Sequence, residues 1–376
     1  MQFGEIYGND ALKARLKKMV DEDRLSHAIL FVEQEGMGGL AFAIALAQYI
    51  NCTDRGQDSC GECPSCRRIA KLAYPDVHFA FPVNTSPKLS DQEKKKPLSS
   101  YFLSDWNNLV AANPYFDSHE LYEALGIENK AATISVHEAR EIASALALQP
   151  FESDYKIMII WQPEKMNTEA ANKLLKLLEE PPAGTYFLMV TQSLESMLTT
   201  VRSRCQIIRL QPMEREEIAD VLCKRYELER PLALDFATLA GGSIGKAFSL
   251  VENADSGSTL DDLLRQLLDA SLGKSLPGVL DAADALAALG KDKQKQWCVR
   301  SEGFIRKMFL SAKGLEGISF AGADDLQYIK KQVPRIKDSF YPRAAAALDA
   351  ALRLIDSNVS AKLIFTDLGN RFYLYI

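Results

Sequence analysis

Glu33-Gln34-Glu35-Gly36-Met37-Gly38-Gly39-Leu40-Ala41 decides how this chain is read. It joins a short apolar run, His27–Val32 with Ala28-Ile29-Leu30-Phe31-Val32 at its core, to an alanine-rich stretch, Leu40–Ile50. The run has the length of a strand and the stretch that of a helix. A glycine-rich segment between strand and helix is the setting a phosphate-binding loop requires. Such a loop needs backbone N–H groups on a glycine turn, a lysine to answer the phosphate charge and a Ser/Thr hydroxyl for Mg²⁺. Aligned on the glycines, Glu33 stands at the first glycine, Gly39 at the lysine and Leu40 at the hydroxyl. The missing lysine–phosphate contact forfeits about 4 kcal/mol at an effective dielectric of roughly 20, and Glu33 brings a carboxylate that repels phosphate. Gly36, Gly38 and Gly39 still offer backbone amides. The segment is either a phosphate loop without its chemistry or a plain glycine turn.

A second stretch favours the first of these. Lys156–Ile160 is wholly apolar after its first residue and reads as a buried strand. In a nucleotide hydrolase such a strand ends in a carboxylate for Mg²⁺, often with another to orient water. Here Trp161 and Gln162 follow, and Glu164, the first acidic residue, lies beyond Pro163. Two partner sites that both lack their chemistry fit a decayed ATPase better than a turn that never met nucleotide. Thr168–Glu180 is a helix with Leu174, Leu177 and Leu178 on its core face, stopped by Pro181-Pro182. Tyr186–Thr191 and Gln206–Leu210 are further strands, and Val201-Arg202-Ser203-Arg204-Cys205 is the loop before the second of them. An arginine supplied from such a loop to a neighbour's γ-phosphate is worth about 10³–10⁵ in rate, although the spacing alone fits an ordinary surface arginine equally.

Cys52, Cys60, Cys63 and Cys66 fall within fifteen residues. Two x2 spacings, with Gly61 and Pro64 for the sharp turns, let the thiolates converge on one ion. Four thiolates without an open position describe a closed, structural Zn²⁺ site. An Fe–S cluster is the rival ligand and free thiols are the bland alternative. A free-standing zinc module for nucleic acid is disfavoured, because only Arg67 and Arg68 adjoin the knuckle, without interleaved aromatics.

The remaining chain supplies context. With 376 residues and 47% hydrophobic content it is long enough for several domains with proper cores. A net charge of −6 argues against binding nucleic acid through the overall field. No apolar run approaches about 18 residues, and Met1–Glu5 lacks a basic segment followed by an apolar one, so no membrane association and a cytoplasmic location are expected. Seven cysteines in such a chain are not expected to form disulfides. Residues 9–24 read as a helix capped by Asn9 or Asp10, and Val77–Phe81 as a strand. Residues 84–130 read as an insertion with some helix, with aromatics at Tyr101, Phe102, Trp106, Tyr115 and Phe116 and a lysine run at 94–96 that fits DNA contact less well than a solvated charge run. Ile134–Leu148 returns to helical periodicity. Beyond residue 212, helical patterns cover Met213–Tyr226 and Ala233–Leu239. After Ser256 come amphipathic segments at Asp261–Leu272, Val279–Leu289, Gln294–Ala312, Tyr328–Val333, Ala344–Ile355 and Ser360–Leu368.

Three segments together resemble a known family. Ala171–Pro182, Val201–Cys205 and Ser26–Phe31, with the four-cysteine knuckle, are similar to the bacterial clamp-loader AAA+ subunits of DNA polymerase III. The likeness covers residues 1–210 well and the remainder loosely, apart from Val359–Leu363. It implies an α/β AAA+ core, a RecA-like parallel sheet with helices on both faces, over residues 1–211, carrying the knuckle at 52–66 and the insertion at 84–130. It further implies a small helical lid at 212–255 and an all-α collar at 256–376. In that family the gamma/tau subunits keep working phosphate loops. Other members have lost theirs yet keep the Ser-Arg-Cys motif, and this chain resembles the latter. The resemblance then implies no ATP hydrolysis by this chain, structural Zn²⁺, and Arg204 as an arginine finger acting in trans. Implied partners are the gamma/tau and delta subunits and, through the complex, the sliding clamp and primer-template DNA. Arg140, Lys173 and Lys176 are candidates for phosphate-backbone contact. Lys246 stands where active relatives often carry arginine, and an exposed lysine on a lid helix is the plainer account. The insertion departs from the family pattern and receives no role. The competing reading is a diverged gamma/tau-like ATPase with weak hydrolysis of its own.

Overall fold

Apolar runs too short for helices pair as one parallel sheet in a computed structural model that describes residues 1–376 other than 129, 253, 316–322 and 358. The strands are β1 (Ala28–Val32), β2 (Val77–Ala80), β3 (Lys156–Trp161), β4 (Thr185–Thr191) and β5 (Gln206–Arg209), in the order β2-β3-β4-β1-β5. Register runs Ala28 beside Phe187, Ile29 beside Gln206, Val77 beside Ile157, and Lys156 beside Thr185. Both faces of the central strands are covered, which is why they read as continuous apolar runs without alternation.

The interleaved helices are α1 (Asp10–Asp21), α2 (Gly39–Asn51), α3 (Pro64–Ala70), α4 (Leu103–Ala112), α5 (Ser118–Leu125), α6 (Val136–Ala147), α7 (Thr168–Glu179) and α8 (Thr199–Arg202). Period-two geometry sorts the strand side chains between the faces. Ala28, Leu30, Met158, Ile160, Phe187 and Met189 pack against Ile142 and Leu146 of α6 and Leu174 and Leu178 of α7. Phe31, pointing the other way, meets Phe42 of α2 at 6.3 Å between ring centroids. The expected α/β core, a parallel sheet with helices on both faces, is therefore present.

The chain forms two compact units, Met1–Ser249 and Leu250–Ile376. The first contains the sheet together with α9 (Arg215–Tyr226) and α10 (Arg230–Ala240), and α11 (Ile244–Glu252) begins within it. The second contains α12 (Ala254–Leu272), α13 (Leu276–Ala287), α14 (Lys291–Ala312), α15 (Ala323–Gln332), α16 (Phe340–Asp356) and α17 (Ala361–Tyr375), so the C-terminal region is helical as expected. Its core is built on Trp297, Phe340, Phe365 and Phe372. The alanines at 344, 347 and 351 are buried in that same core, so this face packs within the unit.

Some local expectations shift. Asn9 has φ 56° and makes no side-chain cap bond at α1. Val201 and Arg202 belong to the short helix α8 rather than to a loop. Ile134 precedes α6, whose N-cap is Ser135 accepting from the Glu138 N–H. Lys156 is buried because its Nζ donates to the carbonyls of Ala145 at 3.0 Å and Leu146 at 3.3 Å, closing the C-terminal end of α6.

The insertion is a packed subregion. Val83 and Thr133 exchange backbone hydrogen bonds at 3.1 and 3.0 Å and form its neck. Trp106 of α4 is fully buried, stacked on Phe81 at 4.2 Å and edge-on to Trp161 at 6.0 Å and Phe116 at 5.4 Å. Glu138 of α6 accepts from the Ser99 N–H at 2.8 Å and hydroxyl at 2.5 Å. Trp106→Ala is expected to cost about 3–5 kcal/mol in denaturant unfolding, well above a substitution in a solvated insertion.

Candidate functional site

The glycine segment leaves the C-terminal end of β1, which lies between β4 and β5. From β1 the chain crosses towards β2 at one edge, and from β4 it passes over β1 to β5. Ligands of open α/β sheets bind where connections part in this way. The first turn of α2 opens there, with amides that lack intrahelical partners.

Glu33 meets those amides. Its Oε2 accepts the Gly39 N–H at 2.7 Å, and the side chain is buried. Burial is the largest influence on its acidity and pushes its pKa up to about 8, against the pull of the backbone amides and with the nearby Glu35 and Glu164 carboxyls adding to the rise. A Cβ at Gly39 would lie 2.7 Å from Val190 Cγ1 and 3.0 Å from Glu33 Cδ, so the lysine position has no room for a Cβ unless its neighbours shift. Gly36 and Gly38 have φ of +79° and +99°. A Cβ at Gly38 would lie 2.7 Å from the Tyr115 ring, and one at Gly36 would lie 2.8 Å from Ser243 Oγ.

Other elements close on the segment. The Gly36 carbonyl accepts the Gly245 N–H at 2.9 Å and the Glu35 carbonyl accepts the Ser243 hydroxyl at 2.7 Å. The Glu35 carboxylate takes the N–H and hydroxyl of Ser118 at 2.7 and 2.5 Å, at the start of α5. A cleft of about 440 Å³ remains beside it, lined by Glu35, Tyr115, Asp117, Glu120, Ser243 and Lys246. Lys246 is exposed.

At the end of β3, Trp161 is buried among insertion aromatics. Gln162 adopts φ 54° and donates to Ser118 Oγ at 2.7 Å and Gln192 Oε1 at 2.8 Å. Glu164 turns back to the sheet, accepting the Thr191 hydroxyl at 2.8 Å and the Gln192 N–H at 3.1 Å; burial raises its pKa. Its carboxyl is thus engaged by β4 and the residue after it.

Arg204 lies elsewhere, between α8 and β5. Its side chain is 30% exposed and pairs with Glu179 at the end of α7, with Nε to Oε1 at 2.8 Å; NH1 donates to the Thr200 carbonyl at 2.6 Å. Arg202 pairs with Glu195 at 3.6 Å. Arg140 on α6 and Lys173 and Lys176 on α7 are all exposed.

The four cysteines converge, with all Sγ atoms within 4.8 Å of one another. Tetrahedral Zn–S bonds of about 2.3 Å set sulfurs roughly 3.8 Å apart, and Cys60 and Cys66 are at 3.9 Å. Backbone N–H groups of Cys60, Cys63 and Cys66 donate to Cys52, Cys60 and Cys63 at 3.2, 3.3 and 3.4 Å, the outer contacts that favour thiolates. Burial opposes ionisation of Cys63, but hydrogen bonds from Thr53 and Cys66 outweigh it and bring its pKa to about 6; burial raises Cys52 and Cys66. Cys52 and Cys66 are buried, Cys52 ending α2 and Cys66 lying in α3. The cluster is compatible with a structural zinc.

A family profile described as "DNA polymerase III, delta subunit" matches residues 8–214, more than half of the chain. The chain belongs to this family. Its relatives include DNA polymerase III subunit delta' of Bacillus subtilis, 28% identical over 218 residues, which are 57% of this chain and 52% of that protein. Subunit delta' of Escherichia coli is 26% identical over 268 residues, 71% of this chain and 65% of that one. Subunit tau of B. subtilis is 26% identical over 342 residues, 84% of this chain and 52% of the relative. The matches thus span between about half and two thirds of each relative. Among the described residues no helix is long and apolar enough to cross a membrane.

Two features of this family member are absent from the sequence-based expectations. Tyr115 reaches the glycine loop from the insertion, a long-range contact without a local pattern. Leu148 and Phe151 are 71% and 81% exposed. The loop carrying Phe151 is held by buried Asp76, which accepts three successive N–H groups from Phe151, Glu152 and Ser153.

The raised pKa of Glu33 makes a pH prediction. Between its ordinary value of 4.5 and about 8 the folded chain holds the proton more tightly than the unfolded chain. Its contribution to stability is therefore full below 4.5 and lost as pH rises towards 8. Glu33→Gln should flatten this fall, seen by comparing urea midpoints of the two proteins from pH 5 to 8.

Proposed function

We propose that this chain is a non-catalytic, delta-prime-type subunit of the DNA polymerase III clamp loader, which helps to load the sliding clamp on primed DNA and lends Arg204 to the ATP site of a neighbouring gamma/tau subunit. The observation that carries the reading is a contrast. The first α2 amide is taken by Glu33 and position 39 has no room for a Cβ unless its neighbours shift, whereas Arg204 is at the surface, held by a half-exposed carboxylate and the Thr200 carbonyl. Family membership and the delta' relatives support the same reading. Partners in this reading are gamma/tau and delta, with clamp and primer-template DNA met through the complex. The exposed Arg140, Lys173 and Lys176 on the packed pair α6 and α7 suit contact with a phosphate backbone. Leu148 and Phe151, on a loop fixed by Asp76, offer a protein partner preorganised apolar anchors.

The exposed Arg204–Glu179 pair is worth about 0–1 kcal/mol, so redirecting the guanidinium to a neighbour's phosphate costs little. Arg204→Ala should lower the ATPase rate of the reconstituted complex at least about tenfold while gel filtration shows unchanged assembly. Undiminished turnover would refute the arginine's role. The second reading, a gamma/tau-like ATPase with weak activity, draws on the broad tau match. Phosphate release by the isolated chain above buffer background would favour it.

We further propose that the cysteine cluster holds one Zn²⁺ that fixes the knuckle to α2 and α3. Purified protein should contain one equivalent of zinc by elemental analysis. Cys63→Ser with Cys66→Ser should remove it and lower the melting temperature, with DNA affinity of the assembled complex little changed.

A further inference from the structure

The insertion between Val83 and Thr133 is given no role in that reading, yet its contacts converge on the glycine loop. Tyr115 is the centre of them. Its ring lies against Gly38, and its carbonyl is so close to Gly245 that a Cβ there would be 2.1 Å from it. Its hydroxyl accepts the Tyr7 N–H at 3.1 Å. The rings of Tyr7, Tyr115 and Phe248 lie within 5.7–6.0 Å of one another, joining the N-terminal segment, the insertion and α11. Arg225 of α9 covers Phe248 at 4.3 Å. On the other side, Ser118 ties α5 to Glu35 of the loop and to Gln162 after β3. Glu33 supplies the acceptor that the first turn of α2 lacks.

We propose that Glu33 and the insertion together replace a bound phosphate ligand, as an intramolecular stand-in that holds the loop, the N-terminal segment and the start of α11 in place with nothing bound. A phosphate compound at this edge of the sheet would do two things: accept the α2 amides and bridge the loop to the elements over it. Glu33 performs the first and Tyr115, with the α5 start, the second. Such a chain gains no stability from free ligand, because the ligand's contacts are already made.

The isolated full-length chain tests this without partner subunits, so the result is independent of the role of Arg204. Thermal unfolding should be unmoved by millimolar tripolyphosphate or Mg–ATP. Glu33→Gly combined with Tyr115→Ala should melt roughly 4–8 °C lower and recover part of that loss with tripolyphosphate. Stabilisation of the unaltered chain by either compound overturns the proposal, as does an altered chain that melts as the original does or recovers nothing. If the double variant does not fold, amide exchange in the unaltered chain decides: slow exchange at Gly38 and Gly39 supports the stand-in, and exchange at the rate of a free peptide overturns it.

Discussion

The hydrogen bond from the Gly39 N–H to the Glu33 carboxyl is the contact on which the rest of the site depends. A helix that starts at the end of a buried parallel strand presents amides with nowhere to turn, and leaving them unmet in a dry setting is costly. An outside anion is one remedy and a side chain from the preceding residues is another. Glu33 is the second. Once it occupies the pocket, residue 39 is pressed between the carboxyl and Val190, and the loop is free to be approached closely by Tyr115 and by the start of α11.

The end of β3 follows the same logic. With Trp161 in place of an acidic residue, the strand offers an apolar edge, and Trp106 and Phe116 pack on it. The insertion and the core are thereby one hydrophobic structure rather than a domain with a solvated excursion. Among the surface ion pairs, Arg204–Glu179 is weak enough to exchange partners.

Much of the fold was legible because burial on both faces writes itself as unbroken apolar runs: β1, β3 and β4 fall within a residue of where Ala28–Val32, Lys156–Ile160 and Tyr186–Thr191 place them. The cysteine cluster was legible from spacing alone, since x2 separations constrain where the sulfurs can go. The unoccupied lysine position was visible, but its physical cause was not. Glu33 reads in sequence as a carboxylate that repels phosphate; in the fold it turns inward and takes the phosphate's place. The contacts of Tyr115 join residues more than a hundred apart, such as Tyr7, and no local periodicity encodes them. Helix ends also resisted, because Asn9 has capping chemistry but its side-chain amide is engaged by the Gln211 backbone instead of the first turn of α1.

The crowding around Gly39 has an evolutionary consequence. A side chain there requires Val190 to shift and the Glu33 carboxyl to give way, and the ring of Tyr115 still lies over Gly38. Each of these changes taken singly loosens a packed core and gains nothing in return. Restoring a phosphate-binding lysine therefore calls for coordinated changes at several positions around Gly39.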